Sequence, residues 1–137
     1  MIPRPKEKFP WGSRQTPYEE IGGDVGVRAL VDNFYDIIDA ESPVLRAMLP
    51  SDMSTSRQKL YEFLSGWMGG PQLYFERRGH PRLRHRHMPF PIDIHAAEEW
   101  TRCMSKALEA IDAGESIRTY LVRELGTTAH GLRNTPD

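Results

Sequence analysis

The chain has 137 residues, of which 39% are hydrophobic and 27% charged, and its formal net charge is −1. This size fits one domain with enough core for one sizeable pocket, and so balanced a charge removes the bulk electrostatic case for a nucleic-acid or membrane partner. The single cysteine, Cys103, excludes an intramolecular disulfide framework and fits a reducing compartment, and no segment approaches the ~20 apolar residues of a membrane helix. Met1 to Phe9 is rich in Pro and Lys without the apolar run of a secretory signal, so the expected location is the cytoplasm.

Residues 1–15 carry Pro3, Pro5, Pro10 and Gly12 and read as an irregular extension, with Phe9 and Trp11 available to dock it. Thr16-Pro17-Tyr18-Glu19 has the form of a capping box with Pro17 at the first helical position, and Gly22-Gly23 ends that short helix. A second helix is predicted from about Asp24 to Ala40, where Val27, Leu30, Val31, Phe34, Tyr35 and Ile38 form one apolar face. Ser42-Pro43 starts another short helix that ends near Pro50. Ser54 or Thr55 is expected to cap a fourth, in which Leu60, Phe63, Leu64 and Trp67 share a face, and Gly69-Gly70-Pro71 stops it.

Residues 71–93 hold four prolines and a run of arginines, and predict a loop with only short helical pieces, one around Leu83–Met88. A long helix resumes at Asp93 with Ala97, Trp100, Met104, Ala107, Leu108 and Ile111 on one face, and Gly114 breaks it. The last helix covers about Glu115 to Leu132, with Ile117, Leu121, Leu125 and Thr128 inward. No stretch alternates with period two, so the fold class is all-α. The helical domain is expected to take residues 16–133, with 134–137 as a C-terminal tail.

Among the candidates for chemistry are five histidines: His80, His85, His87, His95 and His130. His85 and His87 are two apart, so on a helix they point about 200° from each other and cannot share a metal as an i, i+4 pair could. No HExxH, paired CxxC or Glu-x-x-His set supports zinc or a di-iron centre. The paired glycines lack the spacing and the preceding strand of a phosphate loop. Cys103 sits among core positions, where a free thiol is packing material. Arg77, Arg78, Arg82, Arg84 and Arg86 leave open a helical protein with an arginine-rich face for anions or nucleic acid and no bound prosthetic group. The chain lacks the fold motifs of a nucleic-acid binder.

Five features in order resemble a group II truncated haemoglobin from about Thr16 to Leu132. They are the Gly22-Gly23 hinge, Phe34-Tyr35 in the second helix, the Gly69-Gly70-Pro71 hinge, the segment Gly79-His80-Pro81-Arg82-Leu83-Arg84-His85-Arg86-His87-Met88-Pro89-Phe90, and Trp100 followed by Arg102-Cys103-Met104. The resemblance implies a two-over-two helical sandwich around one haem b, iron protoporphyrin IX. It implies that His87 binds the iron, that Arg86 and Lys59 pair with the propionates, and that Tyr35 and Trp100 donate hydrogen bonds to a ligand. Phe34, Leu60, Phe63, Trp67, Phe90 and Met104 would line the pocket, which is also ordinary core packing.

The chain departs from the family pattern at Leu49, where a ring able to hydrogen-bond is usual, and at Ser56, where the distal histidine usually stands. The implied activity is reversible binding of oxygen, with nitric oxide and carbon monoxide as further ligands. Nitric oxide oxidation or peroxide chemistry would use the same pocket and would need a separate reductase. The expected assembly is a monomer or homodimer, without nucleic acid or membrane.

Overall fold

The structure, a computed structural model, describes residues 16–136. The extension bearing Phe9 and Trp11 lies outside the described residues. Eight helices follow one another: α1 (Pro17–Glu20), α2 (Gly23–Glu41), α3 (Pro43–Arg46), α4 (Ser54–Trp67), α5 (Leu73–Arg78), α6 (Leu83–His87), α7 (Ile94–Ala110) and α8 (Glu115–Gly131), with no strand among the described residues.

Local chemistry sets the helix ends. Thr16 Oγ1 accepts from the Glu19 amide at 3.2 Å, with Pro17 in the first turn. Gly22 then takes φ 106°, which only glycine adopts without strain, and turns the chain into α2. Asp93 Oδ1 caps α7 by accepting from the Ala96 amide at 2.8 Å. The start of α4 differs from the sequence expectation. Neither Ser54 nor Thr55 caps it. Asp52 Oδ1 accepts from the Ser54 amide at 2.9 Å and from its hydroxyl at 2.6 Å, because a carboxylate two residues upstream reaches both donors. Within the expected loop, residues 73–78 form the ordered helix α5.

α2 is the central element and packs against both α4 and α7, while α8 packs on α7. Leu30, Phe34, Leu64, Met104, Leu108, Leu121 and Leu125 are fully buried at these contacts, each stabilising the fold by about 1.5–3 kcal/mol relative to exposure. On α8 the inward face ends on Gly126 and Ala129, while Thr128 is half-buried and returns its hydroxyl to the Glu124 carbonyl at 3.3 Å. α1 closes the bundle at one corner, where the Tyr18 amide donates to the Met68 carbonyl at 3.0 Å.

α5 is fixed through a buried carboxylate. Glu62 on α4 is 3% exposed and accepts from Arg78 at 2.5 Å, Arg77 at 3.1 Å and Gln58 at 3.0 Å. Burial alone raises the Glu62 pKa, but these donors outweigh it and hold the carboxyl at about 2. Two arginines of the basic stretch are therefore paired internally rather than presented as a free cationic face.

Candidate functional site

The site is built from α2 outward. Phe34 and Tyr35 are neighbours on the buried face of α2. The Phe34 ring meets Tyr35 edge-on at 5.2 Å between centroids and Trp100 of α7 at 5.1 Å, so one phenyl ring sets the positions of two hydrogen-bond donors. The Tyr35 hydroxyl donates to the Ser56 carbonyl over a long 3.3 Å. Burial pushes the Tyr35 pKa up to about 12 against the opposing charge of Arg57, so the phenol stays a neutral donor at physiological pH. The Trp100 indole N–H, able only to donate, has no hydrogen-bond partner among the described residues.

Leu60, Phe63 and Trp67 project from α4 and Met104 from α7 into the same apolar cluster, and Leu49 joins it from the segment after α3. Met104 is fully buried, whereas Leu49, Leu60, Phe63, Trp67 and Trp100 remain half-buried. Arg46 holds the Leu49 segment. Its guanidinium donates to the Leu49, Pro50 and Ser51 carbonyls at 3.4, 3.0 and 3.2 Å while pairing with Asp39 at 2.8 Å. Ser56 and Lys59 stand half-buried on α4, and Lys59 has no ion pair among the described residues. Phe63 and Trp67 also line a cavity of about 130 Å³ between α4 and α5, with Tyr74 and Phe75.

α6 carries the histidines. His85 is exposed, and His87 is half-buried. His87 Nδ1 lies 2.7 Å from the Leu83 carbonyl one turn earlier. A carbonyl can only accept, so Nδ1 carries the proton there and Nε2 keeps its lone pair. Arg86 is exposed and places its guanidinium 6.0 Å from the Tyr74 ring centroid. Phe90 is 40% exposed. The turn after α6 is tied to the C-terminal segment through Asn134, whose side chain bonds the His87 and Phe90 carbonyls and the Ile92 amide. No pattern in the sequence singles out Asn134, because its partners are main-chain groups more than forty residues away.

These residues fit a haem. The set offers one imidazole with a free, oriented nitrogen, as a ring held by porphyrin nitrogens requires. It offers large apolar side chains whose faces the protein leaves partly uncovered, and two cations, Lys59 and Arg86, without carboxylate partners among the described residues. No cluster of three His, Cys, Asp or Glu, such as a protein-held metal needs, occurs among the described residues. An all-helical fold that carries such a set has the form of a globin.

The comparisons with known proteins agree. Residues 16–134 match the family described as bacterial-like globin. The group 2 truncated hemoglobin YjbI of Bacillus subtilis is 40% identical over 122 residues, covering 89% of this chain and 91% of that protein. The group II truncated hemoglobin of Bacillus anthracis is 39% identical with a TM-score of 0.86, over 90% of this chain and 95% of that one. The cold-adapted truncated hemoglobin of Pseudoalteromonas haloplanktis TAC125 is 40% identical with a TM-score of 0.85, over 88% and 99%. The chain belongs to the bacterial-like globin family, within its group II truncated haemoglobins.

Proposed function

We propose that the chain holds haem b through His87 and binds oxygen reversibly between α2, α4 and α7. The observation that carries this reading is the His87 ring, anchored at Nδ1 by Leu83 and open at Nε2. When bound, the haem supplies a ferrous iron at which a diatomic gas binds and from which it leaves. The chain's own side chains do the rest. Leu83 fixes the tautomer and orientation of the imidazole. Phe34, Leu60, Phe63, Trp67, Phe90 and Met104 keep water from the site. Tyr35 and Trp100 direct an O–H and an N–H towards a ligand that takes up negative charge, which favours oxygen over less polar gases.

A non-covalent haem is supported by the sole cysteine, Cys103, which lies buried in α7 away from any Cys-x-x-Cys-His attachment sequence. The same free thiol supports a reducing compartment, the cytoplasm. A solved relative from Bacillus subtilis, 40% identical, is described as an oxygen-avid haemoglobin, which supports oxygen as the ligand here. The absorption spectra of two variants test the reading. The His87→Ala protein is expected to lose the Soret band or retain haem weakly, and His85→Ala to keep the parent spectrum. The opposite result would move the iron ligand to His85.

A further inference from the structure

We propose that Asn134 is a positioning residue for the iron ligand: its carboxamide holds the main chain just after His87 and so sets the tilt of the imidazole. The proposal rests on the reading of His87 as that ligand.

The helix that carries His87 has little to hold it. α6 has five residues, none of them buried, and it starts from Arg82 at φ 45°, a left-handed conformation disfavoured for a residue with a side chain. A helix this short is not stable by itself. The turn beyond it contains Pro89 and Pro91, which lack amide donors, and Met88 is 65% exposed. Of residues 82–92 only Ile92 is buried in the core, so hydrogen bonds carry much of what fixes this segment within the protein.

Within the turn the Phe90 amide donates to the His87 carbonyl at 3.0 Å; the bonds that reach beyond it gather on one side chain. Asn134 Nδ2 donates to the His87 carbonyl at 3.1 Å and to the Phe90 carbonyl at 3.0 Å. Its Oδ1 accepts from the Ile92 amide at 2.9 Å and from the Thr135 hydroxyl at 2.9 Å. Both donors and both lone pairs of the amide are thus in use. The backbone adds two more links, since the Asn134 and Thr135 amides donate to the Ile92 carbonyl at 2.8 and 3.2 Å. His87 is consequently held at its ring by Leu83, and at its carbonyl by the Phe90 amide of its own turn and by Asn134 from the C-terminal segment. A rigid peptide at that carbonyl limits how the Cα–Cβ bond, and with it the ring, is aimed.

The test uses the full-length, haem-loaded protein and its Asn134→Ala and Asn134→Asp variants. The aspartate keeps an acceptor for Ile92 but replaces the amide donors with an oxygen facing two carbonyls. Resonance Raman spectra of the ferrous, unliganded protein read the iron–histidine stretching band directly. Both variants should shift and broaden that band, and should speed haem transfer to an acceptor protein about tenfold. A band in the parent position with haem loss within about twofold of the parent overturns the proposal, even if the melting temperature falls. His87→Ala measured alongside separates the two readings. A stretching band that survives that substitution defeats the assignment of the ligand itself, whereas a band lost there but unmoved in the Asn134 variants defeats only the clamp.

Discussion

At the scale of single residues, the proposed function leaves ligand control to Tyr35 and Trp100, because Leu49 and Leu60 carry no donor. The Tyr35 hydroxyl rests on the Ser56 carbonyl at 3.3 Å, a long bond that is given up at small cost when a more negative acceptor arrives. A hydrogen bond to a charged acceptor contributes about 1.5–3 kcal/mol, and each ~1.4 kcal/mol is tenfold in an equilibrium constant. Tyr35→Phe and Trp100→Phe should therefore each speed oxygen release by roughly ten- to a hundredfold, with carbon monoxide responding less. Leu49→Tyr, adding a donor on the segment that Arg46 holds, should slow release. Stopped-flow measurement of oxygen dissociation decides this, and rates unchanged in both donor deletions would show that access rather than hydrogen bonding governs the pocket. On the same proposal, Lys59 and Arg86 would act together on the propionates. Removing both should accelerate haem loss while either single change does little, since exposed ion pairs are individually weak. Haem transfer kinetics of the double alanine variant check it.

At the scale of elements, the corner between α1 and α2 depends on a close approach at Gly26. A Cβ there would come within 1.9 Å of the Ile21 carbonyl oxygen, a backbone atom that cannot swing aside. Gly26 lies inside α2, where alanine is otherwise the better helix former by up to about 1 kcal/mol. The collision outweighs that preference. Gly26→Ala should lower stability by about 1–3 kcal/mol in a urea titration, and a variant as stable as the parent would mean that α1 docks less tightly than the 3.0 Å Tyr18–Met68 bond indicates. α6 shows the opposite case, a five-residue element with no buried residue, placed by the turn at Arg82 and by Asn134.

For the whole molecule, stability in acid follows from the carboxylates that tie helices together. Glu62 joins α4 to α5, and Glu99 on α7 accepts from Arg102 at 2.9 Å and from buried Ser42 at 2.8 Å. Arg102 and Ser42 hold the Glu99 carboxyl at about 2 in spite of its burial. Glu62 lies likewise at about 2 against an ordinary 4.5. Because the folded-state values are depressed, these groups contribute stability above pH 4.5 and lose it as the pH falls towards 2. For Glu62, which is 3% exposed, the contribution is on the order of 3 kcal/mol. The melting temperature should fall steeply across that window, and Glu62→Gln should be less stable than the parent near neutral pH while flattening the acid limb. An equally steep limb in the variant would assign acid unfolding to other carboxylates.

The helices and their inward faces were legible in the sequence because apolar spacing and capping residues act over a few positions: Thr16 with Pro17, Asp93, and the run from Val27 to Ile38 behave as those local rules require. The family was legible for a related reason, since Phe34-Tyr35, the His85-Arg86-His87 segment and Trp100 lie in order at fixed spacings. Local rules gave less where a rival donor or acceptor sat nearby, as at Asp52, which takes the capping role expected of Ser54 or Thr55. Only the tertiary structure decided what joins distant segments. It brought Phe34 between Tyr35 and Trp100, buried Glu62 under Arg77 and Arg78, set the Tyr35 hydroxyl on Ser56, and carried Asn134 back to His87. These contacts depend on how whole helices pack, and several end on backbone carbonyls, which are alike at every residue and leave no mark in the sequence.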